Sequence, residues 1–103
     1  MARPEKTKLM EDLLREKREE ILRIAEKHGA RNVRVFGSLA HGEATESSDI
    51  DLLVDTAEET SPWFPAGLVE ELEELLGRRV DVVTTNGLYW LLRPRILTEA
   101  RPL

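Results

Sequence analysis

The stretch from Asn32 to Val54 constrains this chain more than any other. It reads as a strand over Asn32–Phe36, a Gly37-Ser38 turn, one helical turn through Gly42, a polar loop over Glu43–Ser48 and a second strand over Asp49–Val54. Val33 and Val35 share one face of the first strand, and Arg34 lies on the other. After its two acids the second strand is almost wholly apolar, as expected for a strand in the middle of a sheet. Side chains alternate along a strand, so Asp49 and Asp51 point the same way, roughly 6.5–7 Å apart. Two carboxylates so placed can grip a divalent cation. Gly37 and Ser38 offer backbone N–H groups and a hydroxyl to a phosphate. Cation and phosphate on one sheet edge point to chemistry on a nucleoside triphosphate.

The flanking sequence predicts helices and one more strand. Residues 1–6 read as a loose polar tail with Pro4. From Thr7, a candidate N-cap, to His28, apolar residues recur at helical spacing. The stripe thins at Lys17-Arg18, so two helices, or one with an exposed first half, both fit. Glu11–Arg15 and Glu19–Arg23 supply i,i+4 pairs, and Gly29 stops the run. Thr56–Pro65 is a linker whose Trp63-Phe64 either staples the next helix or serves as a lid or partner patch. That helix runs Ala66–Leu76, with Leu68, Val69, Leu72, Leu75 and Leu76 inward and Glu70, Glu71, Glu73 and Glu74 outward. Gly77 ends it. Val80-Asp81-Val82-Val83 lies in a third strand, Asn86-Gly87 is a turn, and Leu88–Ala100 is helical but broken at Pro94. Tyr89-Trp90 read as packing residues or, alternatively, as a partner anchor, with packing favoured. The pattern predicts the α/β (α+β) class: a small sheet with helices on one face and a site on the other. A length of 103 residues suits one domain over 1–103.

Asp81 is the one charge in an apolar strand. A core-strand acid needs a partner or a metal. If it faces the same side as Asp49 and Asp51, the three form a hard-oxygen site for Mg²⁺ or Mn²⁺. Acids are 20 of 103 residues, so about four i,i+2 acidic pairs arise by chance. It is the context, a buried strand after Gly-Ser, that singles this pair out. Charge is segregated: residues 35–77 hold no Lys or Arg and are net −11, while each flank is net +3. A bare polyanion would be repelled, which argues against direct contact with DNA or RNA and makes a triphosphate depend on metal. Cysteine is absent, which excludes disulfides and thiolate chemistry and fits a reducing cytoplasm. No apolar run nears the roughly 20 residues that span a bilayer, and the N-terminus lacks a signal-peptide pattern. A cytoplasmic location without membrane contact is expected.

Gly37-Ser38, ten residues, then Asp49-Ile50-Asp51 resembles the signature of the DNA polymerase beta superfamily of nucleotidyltransferases. The fuller runs, Phe36–Glu43 with Ser48–Val54 and Val80–Thr84, are similar to its minimal nucleotidyltransferase family, and the likeness extends from about Arg15 to about Ala100. The resemblance implies a mixed β-sheet in the polymerase-beta-like fold, carrying two Mg²⁺ ions or Mn²⁺ in their place. It implies that Asp49 and Asp51 ligate both ions and that Asp81 ligates the one aligning the attacking hydroxyl. Gly37 and Ser38 would hold the β- and γ-phosphates of ATP or another NTP. The reaction implied is in-line attack on the α-phosphate with loss of pyrophosphate. Family members of this size pair with a helical HEPN-domain protein in toxin–antitoxin modules. They act as the antitoxin, in some cases by moving AMP to a partner tyrosine.

His41 departs from the family, which usually has Arg there. Arg is a fixed bidentate cation and His is mostly neutral at pH 7, so activity here is expected to be weaker or pH-dependent if that position meets phosphate. Otherwise His41 is a helix-end residue. Arg34 is a candidate triphosphate contact, and His28 suits a helix C-terminus. The short chain leaves little surface to read an acceptor, so a partner subunit or a second copy is expected to complete it. Two other readings stand: an antitoxin that neutralises by docking alone, and a nucleotidyltransferase for a small-molecule hydroxyl.

Overall fold

The computed structural model describes residues 5–43 and 48–103. Residues 1–4, most of the expected tail, and 44–47, most of the expected polar loop, lie outside the described residues. The elements are α1 (Glu5–Glu16), α2 (Arg18–Lys27), β1 (Ala30–Phe36), β2 (Ile50–Thr56), α3 (Ala66–Leu76), β3 (Val80–Thr84), α4 (Arg93–Glu99) and β4 (Arg101–Pro102). Four strands form one sheet in the order β3-β2-β1-β4. β2 pairs antiparallel with β1 and parallel with β3, and β4 adds antiparallel to β1, so the sheet is mixed. The α3 crossover is what allows β2 and β3 to run parallel.

The thinning at Lys17 resolves into two helices, α1 and α2. The first begins at Glu5, two residues before the expected start at Thr7. Arg15 reaches Asp12 at 3.3 Å, an i,i+3 contact. α3 keeps its predicted bounds and ends at Gly77, whose φ of +65° suits a residue without a Cβ. Two of its four outward acids have partners instead: Glu71 lies 2.7 Å from Lys27 Nζ, and Glu73 Oε2 accepts the Val80 N–H at 3.0 Å. Phe64 packs against the core, as a staple would, while Trp63 is 87% exposed.

The core lies between the sheet and its helices. Ile50, Leu52 and Val54 of β2 meet Ile21 and Ala25 of α2 and Leu68, Leu72 and Leu76 of α3. Each fully buried Leu or Ile contributes about 1.5–3 kcal/mol. The half-exposed ion pairs contribute at most about 1 kcal/mol each, so apolar packing holds the fold. Leu53 is also fully buried, though it alternates onto the opposite face with Asp51. That face is therefore covered in part, not open throughout. His28 caps α2 and is buried: its Nδ1 lies 2.6 Å from Ser61 Oγ and its Nε2 3.4 Å from Glu71 Oε1. It fastens the 57–65 linker and α3 to α2.

The sequence reading missed β4. Two residues carry no periodicity, and Pro102, lacking an N–H, suits an edge strand. The helix predicted over Leu88–Ala100 is confined to Arg93–Glu99, with Pro94 in its first turn. No helix among the described residues is long and apolar enough to cross a membrane.

Candidate active site

β2 and β3 run parallel in a register that sets Asp51 directly beside Asp81. Neighbouring strands stand about 4.8 Å apart, so the two carboxylates share a face and crowd each other. Asp49 lies just before β2, half-buried, 3.9 Å from the well-exposed Arg79. That distance in water screens its charge little. The carboxyl of Asp51 is pushed from 3.8 up to about 6, first by burial, then by the charge of Asp81, then by that of Asp49.

Across the antiparallel pair, Phe36 of β1 stands opposite Asp51, and Gly37 follows it. Gly37 has a φ of +74°, and a Cβ there would fall on Oδ2 of Asp51. Only glycine lets this backbone lie against that carboxylate. Residues 37–43 then close into a turn: His41 N–H donates to Gly37 O at 3.2 Å and Glu43 N–H to Ser38 O at 2.8 Å. Leu39 and Ala40 are buried and tie the turn to the protein. Ser38 is half-buried at its start. The five residues singled out by sequence, Gly37, Ser38, Asp49, Asp51 and Asp81, thus gather at one end of the sheet.

An all-oxygen donor set suits a hard divalent ion. Among the described residues no three such side chains stand close enough together to hold an ion as they are placed; the raised Asp51 carboxyl records like charges gathered with little to balance them, a repulsion that a dication would relieve. Proton and cation compete for Asp51. Affinity for Mn²⁺ is therefore expected to rise about tenfold per pH unit below pH 6 and to level off above it. Titrations between pH 5 and 7.5 check this, and a flat profile would contradict it.

Two candidates are engaged elsewhere. Arg34 is on the site face, but its Nη2 donates to Asp55 Oδ1 at 2.8 Å and to Thr85 Oγ1 at 2.9 Å. Thr85 Oγ1 and Asn32 Nδ2 also donate to Asp55, at 2.6 and 2.9 Å. Thr85 first, then Asn32 and Arg34, hold the Asp55 carboxyl below its usual range. Arg34 is therefore held as a structural cation by Asp55 and Thr85. The signal was present: Asp55 is four residues beyond Asp51, hence on the same face. His41 Nε2 lies 3.1 Å from Glu99 Oε2, a pairing across 58 positions that no local pattern announces. Tyr89 and Trp90 are not core packing; they touch each other at 5.9 Å and are 59% and 72% exposed.

A small mixed sheet with acids from adjoining strands beside a Gly-Ser turn is an arrangement suited to nucleotidyl transfer. The nucleotidyltransferase domain model matches residues 14–103, and the chain belongs to that family, on its minimal nucleotidyltransferase branch. It is thus an enzyme of the nucleotidyltransferase class. It is 45% identical over 87 residues to a Methanocaldococcus jannaschii protein provisionally named protein adenylyltransferase MJ0435, spanning 84% of this chain and 94% of that one. It is 43% identical over 76 residues to protein adenylyltransferase MntA of Thermococcus cleftensis, spanning 74% and 77%. A solved structure provisionally named a minimal nucleotidyltransferase shares 50% identity at a TM-score of 0.80, over 89% of this chain and 94% of the other. A toxin–antitoxin structure with AMP-PNP has a TM-score of 0.69 over 82% of this chain and 69% of that one; at 22% identity it shows the fold alone.

Proposed function

We propose that this enzyme moves AMP from ATP to a hydroxyl of a protein partner and so acts as the antitoxin of a HEPN-type toxin. The observation that carries the chemistry is the side-by-side register of Asp51 and Asp81 with the Gly37 backbone against Asp51. The likeness to proteins named protein adenylyltransferases supports AMP as the group and protein as the acceptor.

Asp49, Asp51 and Asp81 would hold the Mg²⁺ or Mn²⁺ ions, which when bound lower the pKa of the acceptor hydroxyl and neutralise charge on the leaving pyrophosphate. The Gly37 turn and the Ser38 hydroxyl bind the β- and γ-phosphates. Asp81, the most exposed of the three acids, stands where an acceptor can reach. The acceptor oxygen bonds to the α-phosphorus as the bond to the β-phosphate oxygen breaks, and the hydroxyl proton passes to water. Transfer to the partner is expected from α-labelled and not from γ-labelled ATP. Label arriving from the γ-position would make this a kinase and overturn the reading.

Tyr89, Trp90, Leu91 and Leu92 form a contiguous exposed apolar run flanked by Arg93. Surface of this kind is characteristic of a protein interface, where aromatic anchors carry much of the energy. Trp90→Ala is expected to weaken partner association roughly 10- to 100-fold with an unchanged melting temperature. Binding measured by calorimetry tests it; unchanged affinity would remove this run from the interface.

A further inference from the structure

We infer that Glu99 is a positioning residue for the phosphate-binding turn, acting through His41. This rests on the reading of Gly37 and Ser38 as the phosphate cradle. His41 is the fourth residue after Gly37 and closes the turn, its N–H donating to Gly37 O. Its Nε2 lies 3.1 Å from Glu99 Oε2. A carboxylate only accepts, so the hydrogen is on Nε2 of His41. The other Glu99 oxygen accepts from Arg95 Nε at 3.0 Å, one helical turn back. Glu99 therefore stands fixed between two donors, and Arg95 first, then His41, hold its carboxyl below the usual range.

Glu99 is itself well located. α4 closes with Ala100 N–H donating to Ile96 O, and Arg101 then pairs with Val35 of β1. β1 is the strand that ends in the cradle turn. The path from β1 through the turn, His41, Glu99 and β4 back to β1 is a closed circuit. The His41 and Glu99 side chains are 42% and 23% exposed, and pairs of that kind add little to stability. Losing the pair should leave the fold intact and free the far end of the turn. His41 and Glu99 touch no reacting atom and act only by holding the turn that binds ATP before the step, so most of the loss falls on ATP binding and KM and little on kcat.

The test is a cycle of His41→Ala, Glu99→Ala and the double variant, measuring ATP affinity by calorimetry with Mg²⁺ and the KM and kcat of transfer. Each single change is expected to raise the ATP Kd and KM about 5- to 10-fold, with kcat within about 2-fold and the melting temperature unchanged. The double variant is expected to be no worse than either single. A large effect of His41→Ala with none from Glu99→Ala, additive losses, or a loss in kcat alone would overturn the inference and leave the cradle standing. Absence of ATP binding by the unaltered protein would overturn both.

Discussion

Replacing Asp51 with Asn is expected to stabilise the metal-free protein while abolishing transfer. Asp51 carries the cost of assembling the site: its carboxyl is raised to about 6 by burial and by Asp81 and Asp49. A carboxyl whose folded pKa exceeds its unfolded value favours the folded state while protonated. That contribution is whole below about 3.8 and is lost as pH rises through about 6. At pH 7 the ionised Asp51 therefore opposes folding. The group is only partly buried, so after allowance for solvent screening the penalty is about 1 kcal/mol. Asn keeps the shape, drops the charge and can donate to the neighbouring acids. In EDTA at pH 7, D51N is expected to melt roughly 4–8 °C higher, since that is the shift about 1 kcal/mol produces in a chain this size. The gap should shrink as pH falls from 6 towards 4. Transfer should fall on the order of 10³-fold or more, because the charge that holds the cation is gone. A variant that melts lower and still transfers would contradict the assignment.

Gly37→Ala is the second large effect, and Gly77→Ala is its control. Both glycines have positive φ, +74° and +65°. Both substitutions therefore place alanine in a left-handed conformation at about 1 kcal/mol. They differ in what the new methyl meets. At Gly77 nothing lies within 4 Å; at Gly37 the methyl falls on the Asp51 carboxylate. G77A is thus expected to cost stability and leave transfer unchanged. G37A is expected to cost at least as much stability and to cut transfer about 10²-fold, because a reacting group displaced by about 1 Å loses that much. Comparable activity in the two variants would mean that the close approach of Gly37 to Asp51 has no role in the chemistry.

The contrast between these residues shows what the sequence made legible. Asp49, expected to open the strand, lies just outside β2, where alternation no longer applies. Asp51 and Asp81 could be read because each sits in a strand whose neighbouring residues are apolar, and alternation assigns them a face. Their convergence needed the β2–β3 register, which follows from parallel pairing through α3. α3 itself was legible to the residue because a strong apolar stripe lies between Pro65 and Gly77. Contacts between distant segments were not legible. Arg34 on the site face was visible, but Thr85 closing on Asp55 was not. His41 drew notice as a departure from its family, yet Glu99 lies 58 residues away and in no motif. For Tyr89 and Trp90 packing and a partner anchor both fit the sequence, because aromatic residues beside leucines look like core until the tertiary structure leaves them outside. β4 had too few residues to carry a pattern.

The most direct measurement is transfer of label from α-labelled ATP to the partner protein, with Mg²⁺, by the unaltered chain and by Asp49→Asn, Asp51→Asn and Asp81→Asn, each checked for folding by thermal melting. Three acids serving one site predict label on the partner with the unaltered chain and its near-complete loss in every variant while all four proteins remain folded. Undiminished labelling by any one of the three folded variants would contradict a shared site built from these aspartates.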